Sequence, residues 1–199
     1  MAGRSDLAAF ILAGGKSSRM GTDKAFLEHG GRTLLSHALE LARLLTPDVF
    51  VVGSREKFER YSPVIEDVFP GQGPLAGIHA ALRSSSADLN LMIAVDMPLL
   101  SPKFLRYLVD RARSSTATVT VPRAGGRWYP LCAVYRPAFA VLAEDVLKLG
   151  RNKIDPLFAQ TETLTIEDEE LKKAEFVSSM FHNLNTPQEF LELAEEKIS

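Results

Sequence analysis

The chain of 199 residues is poor in cysteine and in histidine. Its single cysteine, Cys132, cannot form an internal disulfide, and it excludes a zinc site built from several cysteines. The four histidines are scattered without the spacing of metal ligands. These counts are typical of a protein in a reducing compartment, so we expect a cytoplasmic location.

The sequence also lacks an excess of charge and long apolar runs. Its 23 Lys and Arg oppose 25 Asp and Glu, which excludes the strongly basic composition of a dedicated nucleic-acid-binding protein and gives no reason to expect a membrane partner. No stretch approaches the roughly 20 apolar residues of a membrane span. The apolar run at residues 7–13 is too short for a signal peptide. With 46% hydrophobic residues, the composition is that of a globular protein.

Short apolar runs alternate with longer segments of helical periodicity along most of the chain. The runs predict strands at 8–12, 49–52, 64–65, 89–95, 118–121, 131–135 and 161–166, the last of which also fits an exposed edge. Helices are predicted at 34–45, 75–82 and 137–149, from Ser101-Pro102 onward, and from Thr186 to Lys197. This alternation predicts one α/β domain over residues 1–199, with a mostly parallel sheet in a Rossmann-like three-layer αβα sandwich.

The glycine-rich loop after the first predicted strand is the most informative segment. Gly14 and Gly15 allow backbone N–H groups to approach an anion closely. Three cations follow within nine positions: Lys16, Arg19 and Lys24. A P-loop would require glycine in place of Phe10, and the dinucleotide fingerprint would require glycine at position 16. The loop therefore predicts a different kind of polyphosphate site, with a solvated turn as the alternative.

A carboxylate follows another strong strand signal. Asp96 comes directly after residues 89–95, and ligands of parallel α/β sheets bind beyond the carboxyl ends of the strands. If the first strand is the neighbour of this one, Asp96 lies beside the glycine-rich loop. Mg²⁺ favours one or two carboxylates together with phosphate oxygens and water. We predict that Asp96 binds Mg²⁺ at a triphosphate; the alternative is a carboxylate that only caps the following turn.

Several motifs resemble those of nucleotidyltransferases that act on sugar phosphates, isoprenoid precursors and molybdopterin. In order they are Leu12-Ala13-Gly14-Gly15, Arg19-Met20-Gly21, Asp23-Lys24, Gly73-Pro74-Leu75-Ala76-Gly77 and Asn183-Leu184-Asn185-Thr186-Pro187. The set is most similar to the molybdenum cofactor guanylyltransferase family. The resemblance departs at Gly53-Ser54, where several relatives carry an asparagine, and Ser54 is the candidate substitute for that nucleotide contact.

The resemblance implies a fold of the nucleotide-diphospho-sugar transferase type, with a nucleotide-binding half at about 7–100 and an acceptor-binding half at about 101–199. It implies transfer of GMP from GTP to Mo-molybdopterin, release of pyrophosphate, and Mg²⁺ bound by Asp96. Molybdoenzyme-maturation proteins are further implied partners. The implied catalytic residues are Arg19, Lys24 and Asp96. The implied nucleotide-binding residues are Leu12, Ala13, Gly14, Gly15, Lys16, Lys24, Asp67, Gly73, Gly77 and Asp96, and the acceptor-binding residues are Trp128, Tyr129, Asn183 and Asn185.

Two alternatives to this function stay open at the level of sequence. The first is a sister enzyme that uses CTP, with molybdopterin, a sugar phosphate or an isoprenoid precursor as acceptor. The second is a nucleotide-binding regulatory module that transfers nothing. In either enzyme no protein nucleophile is expected, because Cys132 has no paired base in the sequence pattern.

Overall fold

The computed structural model describes residues 6–14 and 23–183. Their strands are β1 (Leu7–Leu12), β2 (Glu28–His29), β3 (Arg32–Thr33), β4 (Val49–Val52), β5 (Val64–Ile65), β6 (Leu89–Ala94), β7 (Val119–Ala124), β8 (Arg127–Trp128), β9 (Cys132–Tyr135) and β10 (Thr163–Ile166). Their α-helices are α1 (Leu34–Arg43), α2 (Arg55–Phe58), α3 (Pro74–Ser84), α4 (Pro102–Arg113), α5 (Phe139–Lys148) and α6 (Asp168–Lys173). Short 3-10 helices cover Lys24–Phe26, Asp155–Gln160 and Ser178–Phe181.

One large sheet runs in the order β10-β7-β9-β6-β1-β4-β5, with β8 paired to β7, while β2 and β3 form a separate hairpin. Neighbouring strands of the large sheet are parallel, except that β9 is antiparallel to both β6 and β7 and β8 is antiparallel to β7. The predicted mostly parallel sheet is confirmed. The reversal begins at Gly125 and Gly126, whose φ angles of 56° and 74° turn the chain back after β7.

Helices cover both faces of this sheet. Along β1, alternate residues pack into two separate cores: Leu7, Ala9 and Ile11 into the core that includes α1 and α4, and the residues between them into the core that includes α3 and α5. A strand buried on both faces reads as the continuous apolar run seen in the sequence. The predicted three-layer αβα sandwich is confirmed.

The ends of the elements agree with the sequence signals in part. Ser101 caps α4 as predicted, since its hydroxyl accepts a hydrogen bond from the Phe104 N–H at 3.2 Å. Helix α5 begins at Phe139 rather than Pro137, because Pro137 belongs to the preceding turn. The predicted helix from Thr186 to Lys197 lies outside the described residues. Over the ranges 6–14 and 23–183, no helix has the length and apolar character required to cross a membrane.

Candidate active site

The first predicted site element is the shared edge where β1 and β6 end. The two strands pair in parallel along their whole length, with Leu12 opposite Ala94. Just beyond this pair, the Val95 N–H donates to the Leu12 carbonyl at 3.2 Å. The start of the glycine-rich loop and Asp96 are therefore neighbours, as the sequence predicts.

A lysine and a carboxylate face each other at this edge. Lys24 begins the first 3-10 helix, and its Nζ lies 3.6 Å from Oδ2 of Asp96. Both side chains are largely shielded, with 24% and 19% of their surfaces exposed. Burial raises the pKa of the Asp96 carboxyl, and the nearby Lys24 ammonium opposes that rise. Lys24 therefore offsets part of the cost of burying the ionised Asp96 carboxylate.

A cavity of about 240 Å³ opens at the same edge. It is lined by every predicted nucleotide-binding residue that the structure describes, together with five neighbours that are mainly apolar. The predicted residues are Leu12, Ala13, Gly14, Lys24, Asp67, Gly73, Gly77 and Asp96, and the others are Val52, Pro74, Ala94, Val95 and Leu131. We call this space the first cavity.

Asp67 and Gly77 form one wall of the first cavity. Gly77 lies in α3 and is buried, and a Cβ at this position would be 3.7 Å from Asp67 Oδ1 and 3.4 Å from Val52 Cγ1. Burial raises the pKa of the Asp67 carboxyl, against the effect of His79. Asp67 Oδ1 is buried and accepts no hydrogen bond from any residue that the structure describes. A ligand that offers a hydrogen-bond donor would satisfy this oxygen.

A second cavity of about 380 Å³ adjoins the first. Leu131 lines both, and Met97, which follows Asp96 by one residue, lines the second. Three of the predicted acceptor residues lie here: Trp128, Tyr129 and Asn183. The Tyr129 ring stacks on Phe181 with centroids 4.2 Å apart, so the aromatic wall is held in place.

The chain matches the MobA-like NTP transferase domain over residues 9–164. The chain belongs to this family. It is 34% identical over 189 residues to a probable molybdenum cofactor guanylyltransferase of Carboxydothermus hydrogenoformans, covering 94% of this chain and 95% of the relative. It is 33% identical over 184 residues to the molybdenum cofactor guanylyltransferase of Syntrophotalea carbinolica, covering 92% and 88%. The crystal structure of molybdopterin-guanine dinucleotide biosynthesis protein A from Archaeoglobus fulgidus superposes with a TM-score of 0.81 at 27% identity, covering 96% of this chain and 98% of that one.

Family membership confirms that the protein is a nucleotidyltransferase with the expected fold. The roles of individual residues remain predictions, and several fall outside the described ranges. These are Gly15, Lys16, Arg19 and Asn185. Ser54, the candidate substitute for the asparagine of several relatives, is not among the lining residues of either cavity; it precedes α2 instead.

The backbone N–H group of Gly14 does not point to a free anion site, which differs from the prediction for this loop. The Gly14 N–H donates to the Val52 carbonyl at 3.1 Å, and the Ala13 N–H donates to the same oxygen at 3.0 Å. The sheet register therefore uses both amides, so neither is available to a phosphate in this arrangement. Residues 15–22 of the loop lie outside the described residues.

The carboxylates fit Mg²⁺ better than a metal that needs a full protein cage. Among residues 6–14 and 23–183, no group of three His, Cys, Asp or Glu side chains comes together to hold a metal ion. Two carboxylates, Asp67 and Asp96, line the first cavity. Mg²⁺ is usually held by one or two carboxylates with substrate phosphates and water, and Asp96 alone, beside Lys24, fits that pattern.

Some residues of both cavities were not expected from the sequence. In the second cavity they include Arg127, Ser178 and His182. Arg127 lies next to the aromatic pair in sequence, and His182 precedes Asn183, so proximity to the motifs was a signal that could have found both. Cys132 is fully buried, which raises the pKa of its thiol, and it lines neither cavity. Cys132 is therefore excluded by its position as a nucleophile at either cavity.

Proposed function

We propose that the protein transfers GMP from GTP to Mo-molybdopterin, releases pyrophosphate and makes the guanine dinucleotide form of the cofactor. The observation that carries this proposal is the pair of adjoining cavities at one edge of the sheet, joined at Leu131. The relatives named above as molybdenum cofactor guanylyltransferases support the choice of base and acceptor. The proposal places the enzyme in the cytoplasm, with molybdoenzyme-maturation proteins as recipients of its product.

The nucleotide occupies the first cavity in this proposal. The mainly apolar wall suits the base and ribose, while Lys24 and Asp96 mark the end that receives the phosphates. Asp67 Oδ1, which has no described hydrogen-bond partner, accepts a hydrogen bond from a donor group of the base. Lys24 contacts phosphate oxygens and offsets their charge.

The acceptor occupies the second cavity, and its terminal phosphate reaches the boundary at Leu131 and Met97. From there an oxygen of that phosphate attacks the α-phosphorus of GTP in line, and pyrophosphate leaves. The protein orients both reactants and supplies positive charge; it forms no covalent bond. Mg²⁺ bound by Asp96 would neutralise charge on the triphosphate oxygens.

The first test is thermal stabilisation of the purified protein by GTP, CTP, ATP or UTP with Mg²⁺. Ligands that bind the folded state raise the melting temperature by mass action. We expect a shift with GTP that is selective over the other three and is lost in Asp96→Ala. A CTP-selective shift would assign the protein to the sister activity, and no shift with any nucleotide would contradict the site itself.

The second test is a transfer assay with Mo-molybdopterin, GTP and Mg²⁺. We expect pyrophosphate and the guanine dinucleotide to form in equal amounts. GTP binding without pyrophosphate release in the presence of the acceptor would instead favour a regulatory module that binds nucleotide and transfers nothing.

A further inference from the structure

Helix α2 forms hydrogen bonds with two segments that border the first cavity. On one side, Lys57 Nζ donates to Asp23 Oδ2 at 2.7 Å, and Asp23 immediately precedes Lys24. On the other side, the Arg55 N–H donates to Glu66 Oε1 at 3.2 Å, and Glu66 immediately precedes Asp67. The helix itself contributes no residue to the lining of the cavity. Its contacts are with the residues that come just before two lining residues.

The Asp23 carboxylate is held from both sides. Its Oδ1 accepts a hydrogen bond from the Ala25 N–H at 3.2 Å, while Oδ2 receives the Lys57 ammonium. The Asp23 carbonyl also accepts from the Phe26 N–H at 2.9 Å. The 3-10 helix that carries Lys24 is therefore anchored on Asp23, and Asp23 is oriented by Lys57.

Apolar packing brings α2 close enough for this contact. Phe58 is 1% exposed and packs against Phe26, with ring centroids 5.8 Å apart. A Cβ at Gly53 would lie only 2.8 Å from Phe58 Cε2, so a larger residue there would push the ring away. Glycine at position 53 thus allows Phe58, and with it Lys57, to approach the 3-10 helix.

We propose that Lys57 is a positioning residue for Lys24. By pairing with Asp23 it fixes the helix from which Lys24 reaches toward Asp96, and it cancels a negative charge next to the site that receives the triphosphate. Without Lys57, the Asp23 carboxylate is left to attract the Lys24 ammonium and to repel phosphate. The contact with the nucleotide rests on the proposed function, whereas the anchoring of the 3-10 helix does not.

The test compares wild type, Lys57→Gln and Lys57→Arg with a matched control, Lys103→Gln. Lys103 is an exposed lysine in an ion pair with Glu175, and it lines neither cavity. Amide hydrogen exchange of Ala25, Phe26 and Leu27 is measured on the protein without ligand, and the dissociation constant of Mg·GTP is measured by calorimetry. Melting temperatures show whether each variant is folded.

We expect Lys57→Gln to speed hydrogen exchange at the three amides. We also expect it to raise the dissociation constant of Mg·GTP by about two- to fivefold, because the loss of an exposed ion pair changes an equilibrium by about that factor. Lys57→Arg should keep both the exchange rates and the dissociation constant near their wild-type values, and Lys103→Gln should change neither. The difference between wild type and Lys57→Gln should shrink at high ionic strength because salt screens the pair.

Unchanged exchange in Lys57→Gln would overturn the anchoring, whatever the binding constant. Faster exchange with unchanged Mg·GTP affinity would overturn the positioning role. If wild type binds Mg·GTP but transfers nothing to Mo-molybdopterin, the proposed function fails while the two measurements still decide the role of Lys57. If wild type binds no Mg·GTP, both the proposed function and the positioning role are wrong.

Discussion

Gly77→Ala should separate the stability of the protein from its affinity for nucleotide. Gly77 lies inside α3 without a positive φ, so alanine fits the backbone. Replacing an interior helical glycine by alanine stabilises a helix by about 1 kcal/mol. Among the described residues, the atom nearest to the new methyl group is Val52 Cγ1 at 3.4 Å, where a shift of at most a few tenths of an ångström suffices. We expect an unchanged or higher melting temperature, by up to about 2–4 °C.

The same methyl group enters the wall of the first cavity. It would lie 3.6 Å from Leu12 Cδ2 and 3.7 Å from Asp67 Oδ1, in a cavity of only about 240 Å³. Overfilling a packed site by one methyl group costs about 1–3 kcal/mol, which is about 5- to 150-fold in a dissociation constant. Nucleotide affinity should therefore fall in a variant that is at least as stable as wild type.

Ala80→Gly is the matched control on the same helix. Ala80 is buried but does not line the first cavity. This change should lower the melting temperature and leave the affinity of the folded protein for Mg·GTP unaltered. The two variants are compared by calorimetry at a temperature where both are folded. Wild-type affinity in Gly77→Ala would refute the placement of the nucleotide against α3.

Three further predictions concern the charged residues. Asp96→Asn should reduce Mg²⁺-dependent turnover at least about 100-fold, and retained turnover would refute the metal role. The melting temperature should not fall, because the change removes a carboxylate whose burial is costly. Because burial raises the pKa of Asp67 above its ordinary value of 3.8, its ionisation destabilises the fold as the pH rises through that raised value. Asp67→Asn should therefore melt higher than wild type at pH 7, and thermal scans should show this advantage shrinking as the pH falls toward 3.8; a constant difference would contradict the shift. Arg127→Gln should raise the KM for the acceptor about tenfold with no change in GTP affinity, as expected for the loss of a charged hydrogen bond; equal effects on both substrates would remove Arg127 from the acceptor side.

The part of the site that depends on local signals could be predicted from the sequence. The apolar runs predict β1 and β6. Ligands of such sheets bind beyond the carboxyl ends of the strands, and this rule indicates Asp96 and the loop after Leu12. The N-cap at Ser101 was also correct, because its partner lies only three residues away. Each of these features is set by neighbours in the chain or by a rule about where strands end.

What the sequence left undetermined depends on contacts between distant segments. The insertion of β9 between β6 and β7 is a matter of strand pairing, such as Ile93 with Cys132, that no local pattern specifies. The hydrogen bond from the Gly14 N–H to the Val52 carbonyl follows from the register of β1 against β4. The pair of Lys57 and Asp23 joins residues 34 positions apart. Side-chain type alone gave no reason to connect them.

The charges of the first cavity determine the conditions under which a nucleotide would bind there as proposed. Its described lining holds two carboxylates, Asp67 and Asp96, against one ammonium, Lys24, and burial raises the pKa of both carboxyls. A triphosphate entering this lining alone would add negative charge to a site where ionised carboxylates are already costly. A divalent cation that bound at Asp96 together with the nucleotide would remove that conflict. GTP affinity should therefore fall steeply when Mg²⁺ is chelated, and it should fall less in Asp96→Asn, where one of the opposing charges is gone.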